Sequence, residues 1–219
     1  MAMAERWGMI MDDRLALAQM LSPAFPVGAY AYSQGLEQAM VDGVVTDAAS
    51  LTDWVTAVLR HGAGRMDAIF LAEARRGGDL AALDALALAY APCAERAGEM
   101  RDQGAAFASV LTAIRGAAQP VLSYAVGFGH ATREMRLSTQ EILSLWLQAL
   151  AAQLISAAVR FVPLGGGEGQ AVLARLAPVI AEVAKSCAGL GIADLGSAAF
   201  GADLAMMRHE TLEVRIFRT

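Results

Sequence analysis

The sequence has very little lysine and cysteine, and each shortage argues against a class of function. Lys185 is the only lysine among the 17 basic residues, and no G-x-x-x-x-G-K-[ST] sequence surrounds it, which excludes a phosphate-binding loop of that type. The net charge is -5 and there is no basic run, so nonspecific nucleic-acid binding is not expected. Cys93 and Cys187 lack C-x-x-C spacing, and we predict two small core side chains in a protein of the reducing cytoplasm.

The motifs of common enzymes are missing as well. No two of the three histidines have the i, i+4 spacing of an H-E-x-x-H zinc helix, and there is no G-x-S-x-G sequence. The Asp12-Asp13 pair is followed by Arg14, Leu15 and Ala16, so the last aspartate of a D-D-x-x-D cluster is missing. Asp12, Asp13 and Arg14 also interrupt the early apolar residues, so no secretory leader is expected. We therefore predict a protein that is not an enzyme, with no catalytic residue and no cofactor or metal of its own.

Two further features have both a functional and a structural interpretation. The loop from Gly165 to Gly169 resembles a phosphate cradle, but Glu168 places a negative charge there, which favours a flexible turn between helices. Glu95, Arg96, Glu99 and Arg101 alternate in charge on one predicted helix. This pattern is typical of a solvated face with weak ion pairs, and the alternative is a helical face for a protein partner.

What the sequence has in abundance is alanine, with 47 residues of 219, and this composition favours helix. A chain of this length suits one domain with a core of its own. No stretch alternates with period two for long enough to predict a strand. Periodic apolar residues and capping signals instead predict helices over 34–41, 47–62, 66–76, 79–91, 93–115, 120–129, 138–159, 168–187 and 197–207.

The helix around Ile142 to Val159 needs a separate interpretation because 18 residues pass without a charge, which is the lower limit for crossing a bilayer. Glu141 and Arg160 close this run tightly, and serine and glutamine side chains are spread around it. Such side chains would need hydrogen-bond partners in lipid. We predict the buried central helix of a soluble bundle and no membrane contact.

Residues 22–37 read S-P-A-F-P-V-G-A-Y-A-Y-S-Q-G-L-E and form the most unusual segment. The two prolines fix φ, so the chain from Leu21 to Gly28 is expected to be extended or turned. Ser33 is a candidate N-cap for a helix from Gln34 to Val41, with Glu37 in its first turn. An ordinary helix-loop-helix, whose aromatic residues fill a core, is the alternative.

The last residues read M-M-R-H-E-T-L-E-V-R-I-F-R-T, and we refer to 207–219 as the tail. Burying its apolar side chains would contribute about 7 to 15 kcal/mol, and ordering a dozen residues costs a similar amount. This balance predicts a tail that is mobile alone and ordered by a partner. Arg208, Arg215 and Arg218 would then be free to bind carboxylates. A tail packed permanently on its own domain is the alternative.

Together these two segments are similar to the signature of the urease accessory protein UreF family. Members carry P-x-x-P-x-G-x-x-x-Y-S-x-G-L-E near the N-terminus and an R-H-E-T…R-L-F-R-S-like tail. The segments R-D-Q-G-A-A-F from Arg101 and V-R-F-V-P-L-G-G-G-E-G-Q from Val159 also fit, so the resemblance covers nearly the whole chain. Gln34 stands where histidine is usual, and Glu213 stands where tyrosine is frequent.

The resemblance implies a fold and a role. The fold would be a single all-α domain over 1–219, a bundle of about eight to ten helices with a frayed end at 1–11 and a mobile tail. The role would be nickel incorporation into apo-urease, as a homodimeric, non-enzymatic scaffold between the UreD/UreH accessory protein and the UreG GTPase. Nickel and GTP would belong to those partners, and GTP hydrolysis would be modulated by the scaffold.

The same resemblance points to partner-binding residues, which are Tyr32, Ser33, Glu37, Arg208, His209, Glu210, Arg215, Phe217 and Arg218. Tyr32, Ser33 and Glu37 could equally hold the first helices in place, and His209 could be a capping residue. The alternatives to the scaffold are a helical-bundle enzyme or binding protein for an apolar small molecule, and a membrane-anchored helical protein.

Overall fold

The computed structural model describes residues 12–219 as a bundle of ten α-helices with two short 3₁₀ helices, and these residues contain no strand. The prediction of an all-α bundle is therefore confirmed, while the expected frayed end at 1–11 lies outside the described residues. The α-helices are α1 Asp13–Met20, α2 Leu36–Val41, α3 Ala48–His61, α4 Ala63–Arg76, α5 Leu80–Ala89, α6 Ala94–Arg115, α7 Tyr124–Ala131, α8 Thr139–Val159, α9 Gly166–Cys187 and α10 Phe200–His209. The 3₁₀ helices are Ala29–Ala31 and Ile192–Asp194.

Local capping chemistry explains where most of these helices begin. The Asp47 carboxylate accepts a hydrogen bond from the Ser50 main-chain N–H, and the Ser50 hydroxyl accepts one from the Asp47 main-chain N–H, which makes a capping box for α3. The Asp79 side chain caps α5 by accepting hydrogen bonds from main-chain N–H groups of its first turn. Ser138 and Glu141 form the predicted capping box of α8. Each of these side chains satisfies main-chain N–H groups that have no partner inside the helix.

The predicted helix start at Pro120 is wrong, because α7 begins four residues later at Tyr124. The intervening residues run across α6, with the Leu122 carbonyl against Gly104. A β-carbon added at Gly104 would lie 1.8 Å from the Leu122 oxygen. The Ser123 N–H donates to the Asp84 carboxylate at 2.5 Å, and this tertiary contact fixes the non-helical residues that lead into α7. Sequence reasoning about Pro120 had no access to that contact.

Helix α8 is the centre of the bundle and packs against α9, α4, α3 and α2. With a mean hydropathy of 1.8 over its best window, it is long and apolar enough to cross a bilayer, and it is the one such helix among residues 12–219. However, 56% of that window is buried within the bundle. Trp146 on α8 packs against Tyr124 and Phe128 of α7, with ring centroids 4.7 Å apart in both pairs. These contacts are those of a core helix.

Gly129 allows α7 and α4 to come into close contact. A β-carbon at Gly129 would lie 2.4 Å from the Leu71 carbonyl oxygen and 2.8 Å from the Ala74 β-carbon. At Gly127, two residues earlier on the same helix, the nearest atom would be 3.8 Å away. The close approach of the two helices therefore depends on Gly129 and not on Gly127.

These two glycines make a matched pair for a stability measurement. We expect Gly129→Ala to lower the free energy of unfolding by about 1 to 3 kcal/mol, because the two helices must separate to accommodate the methyl group. Gly127→Ala should be neutral or stabilising by up to about 1 kcal/mol, because alanine is the better helix former. Chemical denaturation of both variants measures the difference, and equal stabilities would contradict the close approach.

Candidate partner-binding site

The two unusual segments of the sequence lie side by side in the structure. The Arg218 main-chain N–H donates to the Ala31 carbonyl at 2.7 Å, and the Ser33 N–H donates to the Thr219 main-chain oxygen at 2.9 Å. The Ser33 hydroxyl also donates to this oxygen. The end of the tail is thus bound, through its main chain, to the segment that leads into α2.

Glu37 is the centre of this contact, and its side chain is almost completely buried. One carboxylate oxygen accepts the Ile216 N–H at 2.7 Å, and the other accepts the Phe217 N–H at 3.0 Å. The second oxygen also lies 3.0 Å from Nε2 of His209, whose side chain is 0% exposed. A single carboxylate from α2 therefore fixes both the main chain of the tail and the last turn of α10.

The contact continues on the other side of the imidazole ring. Nδ1 of His209 lies 2.7 Å from one oxygen of Glu95, and the other oxygen of Glu95 accepts from the Arg215 guanidinium at 2.5 Å. We refer to Glu37, His209, Glu95 and Arg215 as the latch. Ionised carboxylates can only accept hydrogen bonds, so both contacts of the ring are satisfied when both of its nitrogens carry a proton. The imidazole ring thus bridges the carboxylates of Glu37 and Glu95.

The start of α2 differs from the prediction, and the difference allows α10, which carries His209 of the latch, to pack closely against α2. Gln34 and Gly35 both have positive φ, at 52° and 77°, and the helix begins at Leu36 instead of Gln34. Ser33 is thus not the N-cap, although its hydroxyl accepts the Glu37 N–H at 3.2 Å. A β-carbon at Gly35 would lie 2.7 Å from the Met206 main-chain nitrogen, so glycine is what lets α10 approach α2.

A second buried network lies beside the latch and is centred on Glu99. Its carboxylate accepts from Gln34 at 3.0 Å and from the Thr219 hydroxyl at 3.4 Å. Arg96 pairs with Glu99 at 2.8 Å and with Asp67 at 2.6 Å. Burial on its own would lower the pKa of Arg96, but the two carboxylates raise it, so the guanidinium stays charged. Burial raises the pKa of Asp67, and Arg96 offsets part of that rise.

Tyr32 joins the tail from its outer side. Its hydroxyl donates to Asp102 at 3.2 Å and accepts from the Arg218 guanidinium at 3.3 Å. Burial raises the pKa of Tyr32 to about 12, with Arg218 opposing the rise, so the hydroxyl keeps its proton at neutral pH. The Arg218 guanidinium also lies over the Tyr32 ring, 5.6 Å from its centroid, in a cation–π contact.

The structure brings all nine predicted site residues into one region but divides them by exposure. Five have little contact with solvent and hold the region together: Tyr32, Ser33, Glu37, His209 and Phe217. Four lie on its surface: Arg208, Glu210, Arg215 and Arg218. The three arginines are not free, because each already faces a carboxylate, Asp42, Glu95 and Asp102 respectively. The pairs of Arg208 and Arg218 are exposed and contribute little.

The tail is held differently from what its composition suggests. Of its five large apolar side chains, Phe217 alone is buried. Val214 is 81% exposed and Ile216 is 61% exposed. This arrangement matches the alternative in which the tail packs on its own domain. The tail is held there mainly by hydrogen bonds and ion pairs. Mobility of the tail in solution stays a prediction.

A groove runs along the outside of the tail and is the most prominent surface feature of this region. Its volume is about 650 Å³, and it lies between α2, the tail and Phe161. Val41, Leu212, Val214 and Ile216 supply apolar walls, with Arg208 at one side. We refer to it as the tail groove.

Sequence reasoning missed the acidic and basic residues of α6. Glu95, Arg96 and Glu99 were expected on a solvated face, but Arg96 and Glu99 are buried and Glu95 belongs to the latch. One signal could have found them. Arg96, Glu99 and Gln103 repeat at intervals of three and four and share a helical stripe with the apolar Met100 and Phe107. Polar residues on an apolar stripe indicate a buried network.

Comparisons with known proteins identify the family of this chain. A family model described as UreF matches residues 45–177. A Cereibacter sphaeroides protein named urease accessory protein UreF is 54% identical over 205 residues, which cover 94% of this chain and 98% of the relative. Proteins of that name from Paracoccus denitrificans and Roseobacter denitrificans are 52% and 49% identical, with at least 94% of each chain covered. The chain belongs to the UreF family.

Membership in the UreF family makes this chain a urease accessory protein. The family model covers the helices from α3 into α9 and includes Glu95, whereas Glu37 precedes the matched residues and His209 and Arg215 follow them. Among residues 12–219, no three histidine, cysteine, aspartate or glutamate side chains are arranged to hold a metal ion. The candidate site of this UreF-family chain is the hydrogen-bonded region of α2, α10 and the tail.

Proposed function

We propose that this protein is a non-enzymatic, cytoplasmic scaffold for nickel-site maturation of urease. In this role it binds the UreD/UreH accessory protein through the tail and tail groove, and it presents the UreG GTPase to the urease complex. Nickel and GTP are handled by those partners, and the scaffold acts as a homodimer. The observation that carries the proposal is the latch, which joins the two signature segments into one surface.

The exposure of the tail supports a docking role. Val214 and Ile216 are large apolar side chains that the protein leaves in water at a cost in solvation. At Ile216 and the residues that follow it, the main chain is fixed by hydrogen bonds to Glu37, Ser33 and Ala31. A fixed apolar edge binds a partner without the entropic cost of ordering a free peptide. The exposed Arg208, Glu210 and Arg218 around it supply the polar rim that interfaces commonly have.

The chemistry of the latch supports a scaffold over a catalyst. Each ionisable group in it is paired with another group of the same chain, and Glu37 and His209 are out of contact with solvent. A general acid or base must reach the proton that it transfers. These residues accordingly position the tail and take no part in a reaction.

Nickel content of urease tests the role as a whole. Urease purified from cells that express the urease genes and the other accessory genes, but not this chain, should contain little nickel and show low activity. Adding the chain on a plasmid should restore both. The purified chain alone should not turn over GTP. Full nickel loading without the chain, or GTP turnover that is lost on mutating the chain's own residues, would contradict the proposal.

A further inference from the structure

A cavity of about 320 Å³ lies on the far side of the Glu99 network from the tail. One wall is the proline-containing segment after α1, and the others come from α6, α7 and α8. The walls are largely apolar, and include Met20, Phe25, Val27, Met100 and Leu150. The exposed residues Ala18 and Leu145 border it, so it opens to solvent between α1 and α8. Its size is at the lower end of the range for small-molecule sites.

Two polar atoms of cavity-lining residues are left without partners. The side-chain oxygen of Gln34 and the indole N–H of Trp146 are buried and form no hydrogen bond within residues 12–219. Gln34 is 3% exposed and Trp146 is 5% exposed. An unpaired buried polar atom is unfavourable, so most such atoms in native proteins find a partner. Gln34 and Trp146 therefore each bring one unpaired polar atom to the set of residues that line this apolar space.

The charges around the cavity indicate that its ligand is neutral. Arg96 and Asp67 line it, but they are paired with each other at 2.6 Å, and Arg96 is paired with Glu99 as well. A charged ligand would lose its hydration and find no free counter-ion. Burial raises the pKa of Tyr124, another lining residue, so its hydroxyl is also neutral.

We propose that this cavity is a binding site for a neutral, mostly apolar small molecule that carries a hydrogen-bond donor and an acceptor. The donor pairs with the Gln34 oxygen, and the acceptor pairs with the Trp146 N–H. The binding site is separate from the tail groove and does not depend on the proposed scaffold role.

7-Amino-4-methylcoumarin is a suitable probe because it is neutral, has an amine N–H donor and a lactone carbonyl acceptor on an aromatic frame, and its emission moves to shorter wavelength when it leaves water. Titrated into the purified full-length chain, it should bind saturably at one site per chain. Ala149→Trp, on the cavity wall of α8, should weaken binding by at least about tenfold, because the indole ring takes the space that the probe needs. Ala181→Trp on the exposed face of α9 is the matched control and should bind like the wild type.

Circular dichroism establishes that each variant is folded, and Ala18→Trp at the opposite side of the opening replaces Ala149→Trp if the latter does not fold. Binding that fills the cavity is lost in a folded cavity variant and retained in the control. Absence of saturable binding to the wild type would overturn the proposal. So would equal binding by the wild type and a folded cavity variant, because the probe would then bind elsewhere on the surface.

Discussion

Replacing Glu37 with leucine should release the tail from the bundle while leaving the rest of the fold intact. Leucine has a similar volume but cannot accept the Ile216 and Phe217 N–H groups or pair with His209. Removing one partner of a buried charged contact costs about 3 kcal/mol or more. The amides of residues 210–219 should then exchange with deuterium roughly 100-fold faster, since each 1.4 kcal/mol corresponds to a factor of ten.

Glu182→Leu is the matched control for this variant. Glu182 makes an ion pair with Arg60 at 2.5 Å, but its side chain is 61% exposed. An exposed pair contributes at most about 1 kcal/mol, so this substitution should leave exchange in the tail unchanged. Peptides from the central helix α8 report on global unfolding in both variants. Unchanged exchange of residues 210–219 in Glu37→Leu would contradict the latch.

Replacing both Val214 and Ile216 with aspartate should abolish co-purification with the UreD/UreH protein without affecting the fold. Both side chains are exposed and line the tail groove, so the isolated protein should keep its stability within about 0.5 kcal/mol. In a complex, two charges would be buried in an apolar contact, and we expect affinity to fall by about 100-fold or more.

The control for this pair is Val121→Asp with Ile192→Asp. These residues are 68% and 55% exposed and lie outside the tail groove. The control protein should co-purify like the wild type. Co-purification of the Val214 and Ile216 variant at wild-type levels would place the partner elsewhere, and equal loss in the control would show that surface charge alone is responsible.

The two variants distinguish the positioning of the tail from the direct contact that its side chains make with a partner. Glu37→Leu keeps the exposed Val214 and Ile216 side chains but removes their fixed position, so it should weaken the complex by losing preorganisation. The double aspartate variant keeps the latch but changes the contact surface. Deuterium exchange in the tail should therefore change in the first variant alone, while partner binding should decrease in both.

Helix positions could largely be predicted because their signals are local. Asp47, Asp79 and Ser138 cap the helices that follow them, and these bonds span three residues or fewer. The start of α7 could not be predicted from Pro120, because a carboxylate on α5 and a carbonyl contact on α6 decide it. The start of α2 was displaced for a similar reason, since Gly35 accommodates α10.

The candidate site was predicted in part. Its nine residues were found by resemblance, and the sequence offered no indication that Glu37 and His209, 172 positions apart, bind each other. The comparison of apolar burial with ordering entropy was misleading for the tail, because it assumed that burial of apolar side chains is what holds the tail in place. Val214 and Ile216 remain exposed, and carboxylates of α2 and α6 hold the tail instead.

By itself, the sequence determined the all-α fold class, the approximate ends of most helices and the family, because these depend on local capping residues, hydrophobic periodicity and the residues of the signature motifs. The tertiary structure alone decided which side chains of each motif are buried and which face solvent. It buried Glu37 and His209 as positioning groups, left Val214 and Ile216 in solvent, and paired the tail arginines with carboxylates. The physical reason is that burial and charge pairing are set by contacts between distant segments, and such contacts exist only once the helices have packed.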